Sequence, residues 1–494
     1  FIIESAGGLM FKEQFYFLLD ANVWFCLLIP IYVIVALYFI YRIGLFRFHY
    51  FKEIKQLLFE KRRNNSGITP FQSFSLSMGN RIGIGNIVGV SLAISLGGPG
   101  AVFWMWVFAF LGMFLAFAEA VLAQLYKSKD RGLYRGGPAY YICKGLKMPK
   151  VGALYAIIFI ALFIVIFNGI HSNILVSLVH STYSEAMGEK ILWLILIVVL
   201  VTIIGNVRWL THIATLMVSA TLFLYITIIL AIVFFNIQEL PTLFWSIIKS
   251  AFGFQEAVGG GIGVAIVEGI KKGSISHEAG IGSTASAAAT ANTSHPVKQG
   301  LLQSFGVFID SFVIGGLSAF IILSSGLYSP NVANGILLMQ ASLGLSLGLF
   351  APYVFSLILI LFALTSIISG FYYGMVNVLY FKNCKWVEHL YKLFFIIVIL
   401  TSYFIDMGAL IAITMIFISS LTVLNSIVIF SLRHVVTALW NHYVEQKRLG
   451  FDPQFYATDI PWLGELECWQ HDDLETQFQE DAYFRVMPPS KDSG

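Results

Sequence analysis

Charged residues are scarce in this chain of 494 residues: they account for 12% of it, whereas hydrophobic residues account for 58%. Soluble proteins carry about 25% charged residues. So few charges cannot cover a globule of this size with polar surface, and a net charge of +3 is too small to favour nucleic acid. The composition predicts that membrane lipid surrounds much of the chain and that nucleic acid is not a partner.

Cysteine pairs and catalytic motifs are also missing. The four cysteines are scattered without the spacing of a disulfide framework or metal site, and we interpret them as free thiols. There is no phosphate-binding Gly-x-x-x-x-Gly-Lys-Ser/Thr, no His-Glu-x-x-His and no serine elbow. We therefore expect no enzyme activity, no organic cofactor and no ATP-driven transport.

Long apolar runs dominate what is present. A membrane-spanning helix needs roughly 20 mostly apolar residues, and about eleven segments approach this length. The predicted segments are Asn22–Phe46, Phe71–Leu96, Ala101–Tyr126, Ala153–Val179, Ile191–Ile204, Trp209–Phe235, Phe254–Ile270, Leu301–Leu323, Tyr353–Tyr373, Leu390–Ile405 and Met407–Leu432. The sequence thus predicts an all-α polytopic membrane protein.

Lysine and arginine collect in every second connection, and such loops usually face the cytoplasm. The basic connections are 47–63, 127–147, Arg208, 271–298, 382–385 and 433–448, whereas the others contain little beyond Lys190 and Lys249. This pattern places the N-terminus outside and the C-terminus inside the plasma (inner) membrane. Residues 433–494 form an acidic cytoplasmic tail, polar and partly disordered from Asn441 onward, with either no specific role or a docking role.

Two predicted helices contain glycine-rich runs, Gly79–Asn86 in the second and Gly259–Gly263 in the seventh. Freed backbone groups are tolerated at membrane depth where they line a cavity. Glycines that allow close helix packing are the alternative interpretation. Because the runs occupy equivalent places in two halves, we predict two interrupted helices that meet near the membrane midplane.

The spacing of these runs predicts an inverted repeat. If the first helix is peripheral, within residues 1–70, two groups of five helices follow, in 71–235 and 236–432. An odd number of helices makes the second group enter the membrane from the opposite face. Half-helix N-termini suit a carboxylate, and half-helix C-termini suit a cation.

Several long motifs resemble the alanine or glycine:cation symporter family. They are GIGNIVGVSLAISLGGPGAVFWMW (83–106), YRGGPAYYICKGL (134–146), GIKKGSISHEAGIGSTASAAATANTSHPVKQGL (269–301), GVFID (306–310) and SGFYYG (369–374). The resemblance spans roughly 69–432. It implies a LeuT-type fold, alternating access, and symport of a small neutral amino acid such as alanine or glycine with sodium or protons.

The resemblance also implies site residues. Those matching the substrate site are Gly83, Ile84, Gly85, Asn86, Asn168, His171, Asn173, Gly259, Gly260, Gly261, Ser366 and Gly370. Those matching a sodium site are Gly83, Thr365 and Ser366. Hydrogen bonds from the two hydroxyls to carbonyls of their own helix are the alternative for Thr365 and Ser366.

Some positions depart from the family pattern. Ile84 stands for a threonine, His171 for a glutamine, His277 for an asparagine, Gly370 for a tryptophan and Met375 for a glutamate. Loss of the indole at Gly370 predicts a roomier pocket. A proton-driven transporter of a larger neutral solute and a non-transporting amino-acid sensor therefore remain alternatives.

Ionisable residues inside membrane segments are candidates for function. Arg81, Glu119, Glu268 and Asp310 meet this description. Glu119 and Glu268 are predicted near cytoplasmic helix ends, where a structural role is favoured.

Overall fold

A computed structural model describes residues 23–44, 53–60, 66–253, 261–329, 335–402, 405 and 407–470. Within these ranges the chain is almost entirely helical. The helices are α1 Ile29–Ile43, α2 Ile54–Leu58, α3 Pro70–Arg81, α4 Ile84–Gly97, α5 Gly100–Leu125, α6 Pro138–Gly145, α7 Pro149–Thr182, α8 Glu185–Ile204, α9 Val207–Phe235, α10 Leu240–Ala251, α11 Gly261–His277, α12 Ser283–Ala288, α13 Pro296–Ser325, α14 Gly335–Leu347, α15 Ala351–Phe381, α16 Lys385–Thr401, α17 Met407–Ser431 and α18 Arg433–Arg448. A two-stranded hairpin, β1 Ser128–Asp130 with β2 Leu133–Arg135, joins α5 to α6.

Local sequence explains where several of these helices begin. The Thr69 hydroxyl accepts a hydrogen bond from the Gln72 amide, and the Gln72 side chain accepts one from the Thr69 amide. This capping box is followed by Pro70, whose fixed φ suits the first helical position. Pro149 and Pro296 likewise occupy the first helical positions of α7 and α13.

Seven helical stretches within the described ranges are long and apolar enough to cross a membrane. They are Gly100–Leu125, Pro149–Thr182, Glu185–Ile204, Val207–Phe235, Pro296–Ser325, Gly335–Phe381 and Ile413–Ser431. The chain is a multi-pass membrane protein, as predicted. Predicted segment Phe71–Leu96 is split into α3 and α4, and α16 is only 17 residues long.

Several helices were not predicted from hydropathy, and two of them lie between predicted membrane segments. Helix α14, Gly335–Leu347, falls between two predicted segments. Helix α10, Leu240–Ala251, precedes α11, and its end packs against the start of α5, where the Ser250 hydroxyl accepts a hydrogen bond from the Gly100 amide at 3.1 Å. Both are shorter than the length that spans a bilayer.

Helix α5 lies at the centre of the molecule and packs against α13, α11 and α12. Its C-terminal half, from Gly112 to Leu125, is buried throughout. Gly300 of α13 permits a close approach, because a Cβ there would lie 2.6 Å from Val121 Cγ2. Helices α11, α12 and α13 are therefore held closely against the central helix α5.

The C-terminal strap, which we define as residues 449–470, packs on the end of the bundle that contains β1 and β2. Its contacts with the membrane part are Phe455 N–H to Ser294 O at 3.0 Å, Ser294 Oγ to Pro453 O at 2.9 Å, Trp469 Nε1 to Gln124 O at 3.1 Å, Lys298 to Asp452 at 2.7 Å and Lys144 to Glu467 at 2.7 Å. Of the tail predicted to be partly disordered from Asn441, residues 441–470 are ordered, and 471–494 lie outside the described residues. Buried tryptophan and paired charges offset the polar composition of this segment.

Candidate functional site

The first interruption lies where the sequence predicts it, in the run Gly79–Asn86. Helix α3 ends at Arg81, the backbone of Ile82 and Gly83 leaves the helical region, and α4 begins at Ile84. Gly83 adopts an extended conformation with φ −130° and ψ −161°. Because a Cβ on Gly83 would lie 2.7 Å from Ser366 Oγ, the close approach of α15 requires glycine here.

Of the predicted second interruption at Gly259–Gly263, Ile262 and Gly263 lie within a helix, whereas Gly261 has a left-handed φ of +83°. Gly261 begins α11, which continues without a break to His277. The chain unwinds at Glu278–Gly282, where Gly280 and Gly282 have φ of +87° and +91°. Glycine favours such left-handed conformations, and this explains the position of the break. Gly259 and Gly260 lie outside the described residues, and Gly261 lies about 24 Å along α11 from the break.

The two interrupted helices run antiparallel with their breaks side by side. The Asn80 side chain donates to the Glu278 carboxylate, and Ser276 donates to Asn86 Oδ1. On either side of these contacts, the Ser73 hydroxyl donates to the Ala287 carbonyl at 2.9 Å, and α4 crosses α11 closely at Gly97. The predicted meeting of two broken helices is therefore present, with a different second break.

A buried polar cluster surrounds Asp310, in a π-helical turn of α13 at Ile309–Ile314. Its carboxylate accepts hydrogen bonds from Asn86 Nδ2, from Ser276 Oγ at 3.1 Å and from Ser311 Oγ at 3.0 Å. Arg81 is 1% exposed, and its Nη1 donates to the Gln303 carbonyl at 2.9 Å. The cluster links α4, α11 and α13 behind the first interruption.

A cavity of about 640 Å³ lies beside the two interruptions. Its volume is in the range of small-molecule sites. Three predicted substrate residues line it, namely Gly85, His171 and Asn173. It is also lined by Asn80, Arg81, Lys272 and Glu278, with apolar side chains of α14 and α17 completing the wall.

His171 faces the first interruption from α7. Its Nδ1–H donates to the Phe167 carbonyl at 2.6 Å, since a carbonyl can only accept. In the neutral ring Nε2 is therefore an acceptor, and it lies 3.8 Å from the position of a Cβ built on Gly83. His171 can thus accept a hydrogen bond from a ligand at the break.

The pocket is not roomier at Gly370, contrary to the expectation from the missing indole. A Cβ built on Gly370 lies 3.1 Å from Asn168 Oδ1, so the side chain of Asn168 fills this space. Asn168 is 1% exposed and donates from Nδ2 to the Phe163 carbonyl in a π-helical turn of α7. Neither residue is among those that line the cavity.

Of the predicted sodium residues, Gly83 and Ser366 lie together, whereas the Thr365 hydroxyl makes the alternative bond to its own helix. Ser366 Oγ donates to the Gly79 carbonyl at 3.1 Å and adjoins Gly83. The Thr365 hydroxyl donates to the Phe362 carbonyl of its own helix at 2.8 Å, which leaves its lone pairs available. These neutral oxygens from α3 and α15 are the ligand type that a hard monovalent cation accepts.

Three residues near the site were missed or misplaced by sequence reasoning. Glu278 is 1% exposed at the second interruption, and only the glycines after it signal the break. Lys272 was predicted in a cytoplasmic connection, but it lies within α11 and lines the cavity. Glu119 is 0% exposed and bonded to Thr284 at 2.5 Å, rather than extended toward a membrane surface. The side chain of Ile84 lies outside the described residues.

A helical chain with these apolar spans, and with two interrupted helices that meet beside an internal cavity, belongs to the class of multi-pass membrane transporters and is not an enzyme. Residues 10–457 match the sodium:alanine symporter family, and the chain belongs to this family.

Relatives from several organisms support this assignment. "Probable sodium/glutamine symporter GlnT" of Bacillus subtilis is 39% identical over 92% of this chain and 95% of the relative. "Amino-acid carrier protein AlsT" of the same species is 38% identical over 89% and 94%. "Sodium/alanine symporter AgcS" of Methanococcus maripaludis is 32% identical over 72% and 81%.

Among solved structures, a manganese transporter from Eremococcus coleocola gives a TM-score of 0.47 at 14% identity, over 88% of this chain and 89% of the other. A similarity of this size does not establish a common fold, and the family assignment rests on the sequence.

Proposed function

We propose that this protein is a sodium-coupled symporter that carries a neutral amino acid across the membrane by alternating access. The observation that carries the proposal is the antiparallel pair of interrupted helices, with Asn80 bonded to Glu278 beside a cavity of about 640 Å³. Family membership and relatives named as sodium symporters and amino-acid carriers support it.

The coupling ion is sodium in this proposal, and Gly83, Thr365 and Ser366 bind it with the Gly79 carbonyl. Both hydroxyls are buried, and that of Ser366 lies next to the C-terminal end of α3, where the helix dipole favours a cation. Binding of sodium there draws α15 and α3 together. The ion thereby stabilises the backbone of the first interruption, which also binds substrate.

The substrate carboxylate binds the first-turn amides of α4 at Ile84 and Gly85, where the helix N-terminus favours negative charge. His171 and Asn173 face the same cavity and hydrogen-bond the substrate. The cavity volume and the name of the glutamine-transporting relative favour a neutral amino acid at least as large as alanine. Sequence departures at Ile84 and His171 set the side-chain preference.

The helix plan in this proposal is a LeuT-type inverted repeat, with 71–235 and 236–432 as the two halves and α1 outside them. Antiparallel α3–α4 and α11–α12 support this arrangement, since one interrupted pair falls in each half. With the N-terminus outside, the cavity residues Ser181 and Met407 lie toward the exterior. The protein is then outward-facing in the plasma (inner) membrane.

Uptake into proteoliposomes tests the proposal. We expect a sodium gradient to drive accumulation of labelled alanine or glutamine, and Ser366→Ala to raise the sodium concentration for half-maximal uptake about tenfold. Ser356→Ala is the matched control, because Ser356 is a buried serine of the same helix about 15 Å away.

Three other results of the uptake assay would each change the proposal. Uptake driven by a pH gradient and indifferent to sodium would show that protons are the coupling ion. Sodium-dependent substrate binding without uptake would favour an amino-acid sensor. Equal sodium dependence of Ser366→Ala and Ser356→Ala would place the ion elsewhere.

A further inference from the structure

Three consecutive backbone carbonyls of the second interruption are capped by side chains from three different helices. Tyr32 of α1 donates to the Ala279 carbonyl at 3.5 Å, Asn425 Nδ2 of α17 donates to the Gly280 carbonyl at 2.9 Å, and Tyr155 of α7 donates to the Ile281 carbonyl. Inside a membrane an unwound backbone finds no water, so such capping is required for the break to exist.

Glu119 of α5 bonds to two of the residues around this break, on the side away from the cavity. One carboxylate oxygen accepts a hydrogen bond from Thr284 in the first turn of α12 at 2.5 Å, and the other accepts one from Asn425 Nδ2 at 3.1 Å. Asn425 Oδ1 in turn accepts from Tyr141. Glu119 thus fixes both the helix that follows the break and the amide that caps its middle carbonyl.

The capping residues lie away from the substrate side of the break. Tyr32, Glu119, Tyr155 and Asn425 are each 0% exposed, and none is among the residues that line the cavity. Glu278, at the start of the same interruption, does line the cavity and bonds to Asn80 of the first interrupted helix. The capping residues fix the conformation of the second interruption on the side away from the cavity. This conformation therefore determines where Glu278 lies relative to a ligand in the cavity.

We propose that Glu119 is a positioning residue for transport, which acts through Asn425 and Thr284 to hold the second interruption in its substrate-binding conformation. This role rests on the proposed symport function. It needs hydrogen-bond acceptors and not a negative charge. A glutamine at 119 can still accept from Asn425 through Oε1, while its Nε2 donates to the Thr284 oxygen.

Kinetics of sodium-driven uptake test this role. We expect Glu119→Ala to raise the substrate KM about tenfold, because the capping amide and α12 lose their anchor. Glu119→Gln should restore KM to within about threefold of wild type. Thr284→Val, which keeps the side-chain shape, should raise KM in the same direction as Glu119→Ala and serves if the alanine variant does not fold.

Ser426→Ala is the matched control, because Ser426 adjoins Asn425, is 1% exposed, and its hydroxyl has no hydrogen-bond partner within the described part of the chain. Its KM should equal that of wild type. The inference is overturned if Glu119→Gln is as impaired as Glu119→Ala, or if Glu119→Ala and Thr284→Val lower only the amount of folded protein and leave KM unchanged. A wild type without any sodium-driven uptake would instead overturn the proposed function, and this role with it.

Discussion

At the scale of single residues, the pair Gly370 and Asn168 shows how a missing side chain is compensated. The Asn168 carboxamide occupies the space beside Gly370, 3.1 Å from the position of a Cβ built there. An aromatic residue at 370 would therefore require the Asn168 side chain to move. The sequence comparison identified the loss at 370, but it could not identify the side chain that fills the gap, since the two residues are about 200 positions apart.

We expect Gly370→Trp to destabilise the purified protein by about 3 kcal/mol, because an overpacked core must displace Asn168. The double variant Gly370→Trp with Asn168→Ala should be more stable than Gly370→Trp alone, since the second change provides room for the indole. Thermal unfolding in detergent measures both effects. Additive losses in the double variant would show that Asn168 does not compete for this space.

The buried carboxylates of Asp310 and Glu278 differ in whether the sequence identifies them as site candidates. Asp310 was a candidate from sequence, and its three hydrogen-bond donors come from α4, α11 and α13. Glu278 was not a candidate, because the helix was predicted to end before it. A carboxylate can be assigned a site only when the donors around it are known, and those donors are distant in sequence.

At the scale of elements, the position of the second interruption is decided by backbone conformation. Gly280 and Gly282 both have left-handed φ, and a Cβ on Gly282 would lie 2.2 Å from Pro138 Cγ. Gly263 has nothing within 4 Å of a built Cβ. Glycine is therefore required at the break and is dispensable at Gly263.

We expect Gly282→Ala to destabilise the fold by about 2 kcal/mol or more and to abolish uptake, because both the φ and the contact with Pro138 oppose a side chain. The matched change Gly263→Ala should be neutral or stabilise the helix by about 0.5–1 kcal/mol. Melting temperature and uptake of the two variants distinguish the two positions. If Gly263→Ala were the damaging change, the functional break would lie near Gly259–Gly263.

In the molecule as a whole, helix α18, which leads into the C-terminal strap, contacts the membrane part through a histidine pair, and the His442 ring also packs on Phe455 of the strap. The Val297 amide donates to His295 Nδ1, so His295 Nε2–H donates to His442 Nδ1 at 3.1 Å. Burial lowers the pKa of His442, although the carboxylates of Asp459 and Glu445 act in the opposite direction. The neutral His442 ring is the form that fits this contact.

Acid should therefore loosen the strap. Because the pKa of His442 in the folded protein lies below the unfolded value of about 6.5, the state in which α18 and the strap have left the bundle binds more protons, and stability is lost as pH falls below about 6.5. Cys468 reports this change, since it is buried in the strap with its thiol 3.4 Å from the Lys127 carbonyl.

In a variant with Cys26, Cys143 and Cys384 replaced by serine, we expect maleimide labelling of Cys468 to accelerate severalfold between about pH 7.5 and about pH 5.5. Rates are normalised to denatured protein, which removes the intrinsic pH dependence of the thiol. His442→Asn should label at a rate that changes little over this range. An equal acceleration in His442→Asn would assign the effect to other groups.

The membrane class, the family and the first interruption could all be predicted from the amino-acid sequence alone. Hydropathy acts over about 20 consecutive residues, and family motifs are contiguous, so both can be recognised without a structure. The alternation of basic and non-basic connections can also be recognised without a structure, and it predicts the orientation of the chain in the membrane. The glycines at Gly79–Asn86 located a break because the polar and glycine residues fall within one apolar run.

The break at Glu278–Gly282, the partners of Asp310 and Glu278, and the packing of the strap became known only from the folded molecule. Each depends on side chains from helices that are far apart in sequence. The capping of three successive carbonyls by Tyr32, Asn425 and Tyr155 illustrates the reason. A backbone can unwind in lipid only where other helices supply its hydrogen bonds, and which helices do so is set by their packing and not by any local pattern.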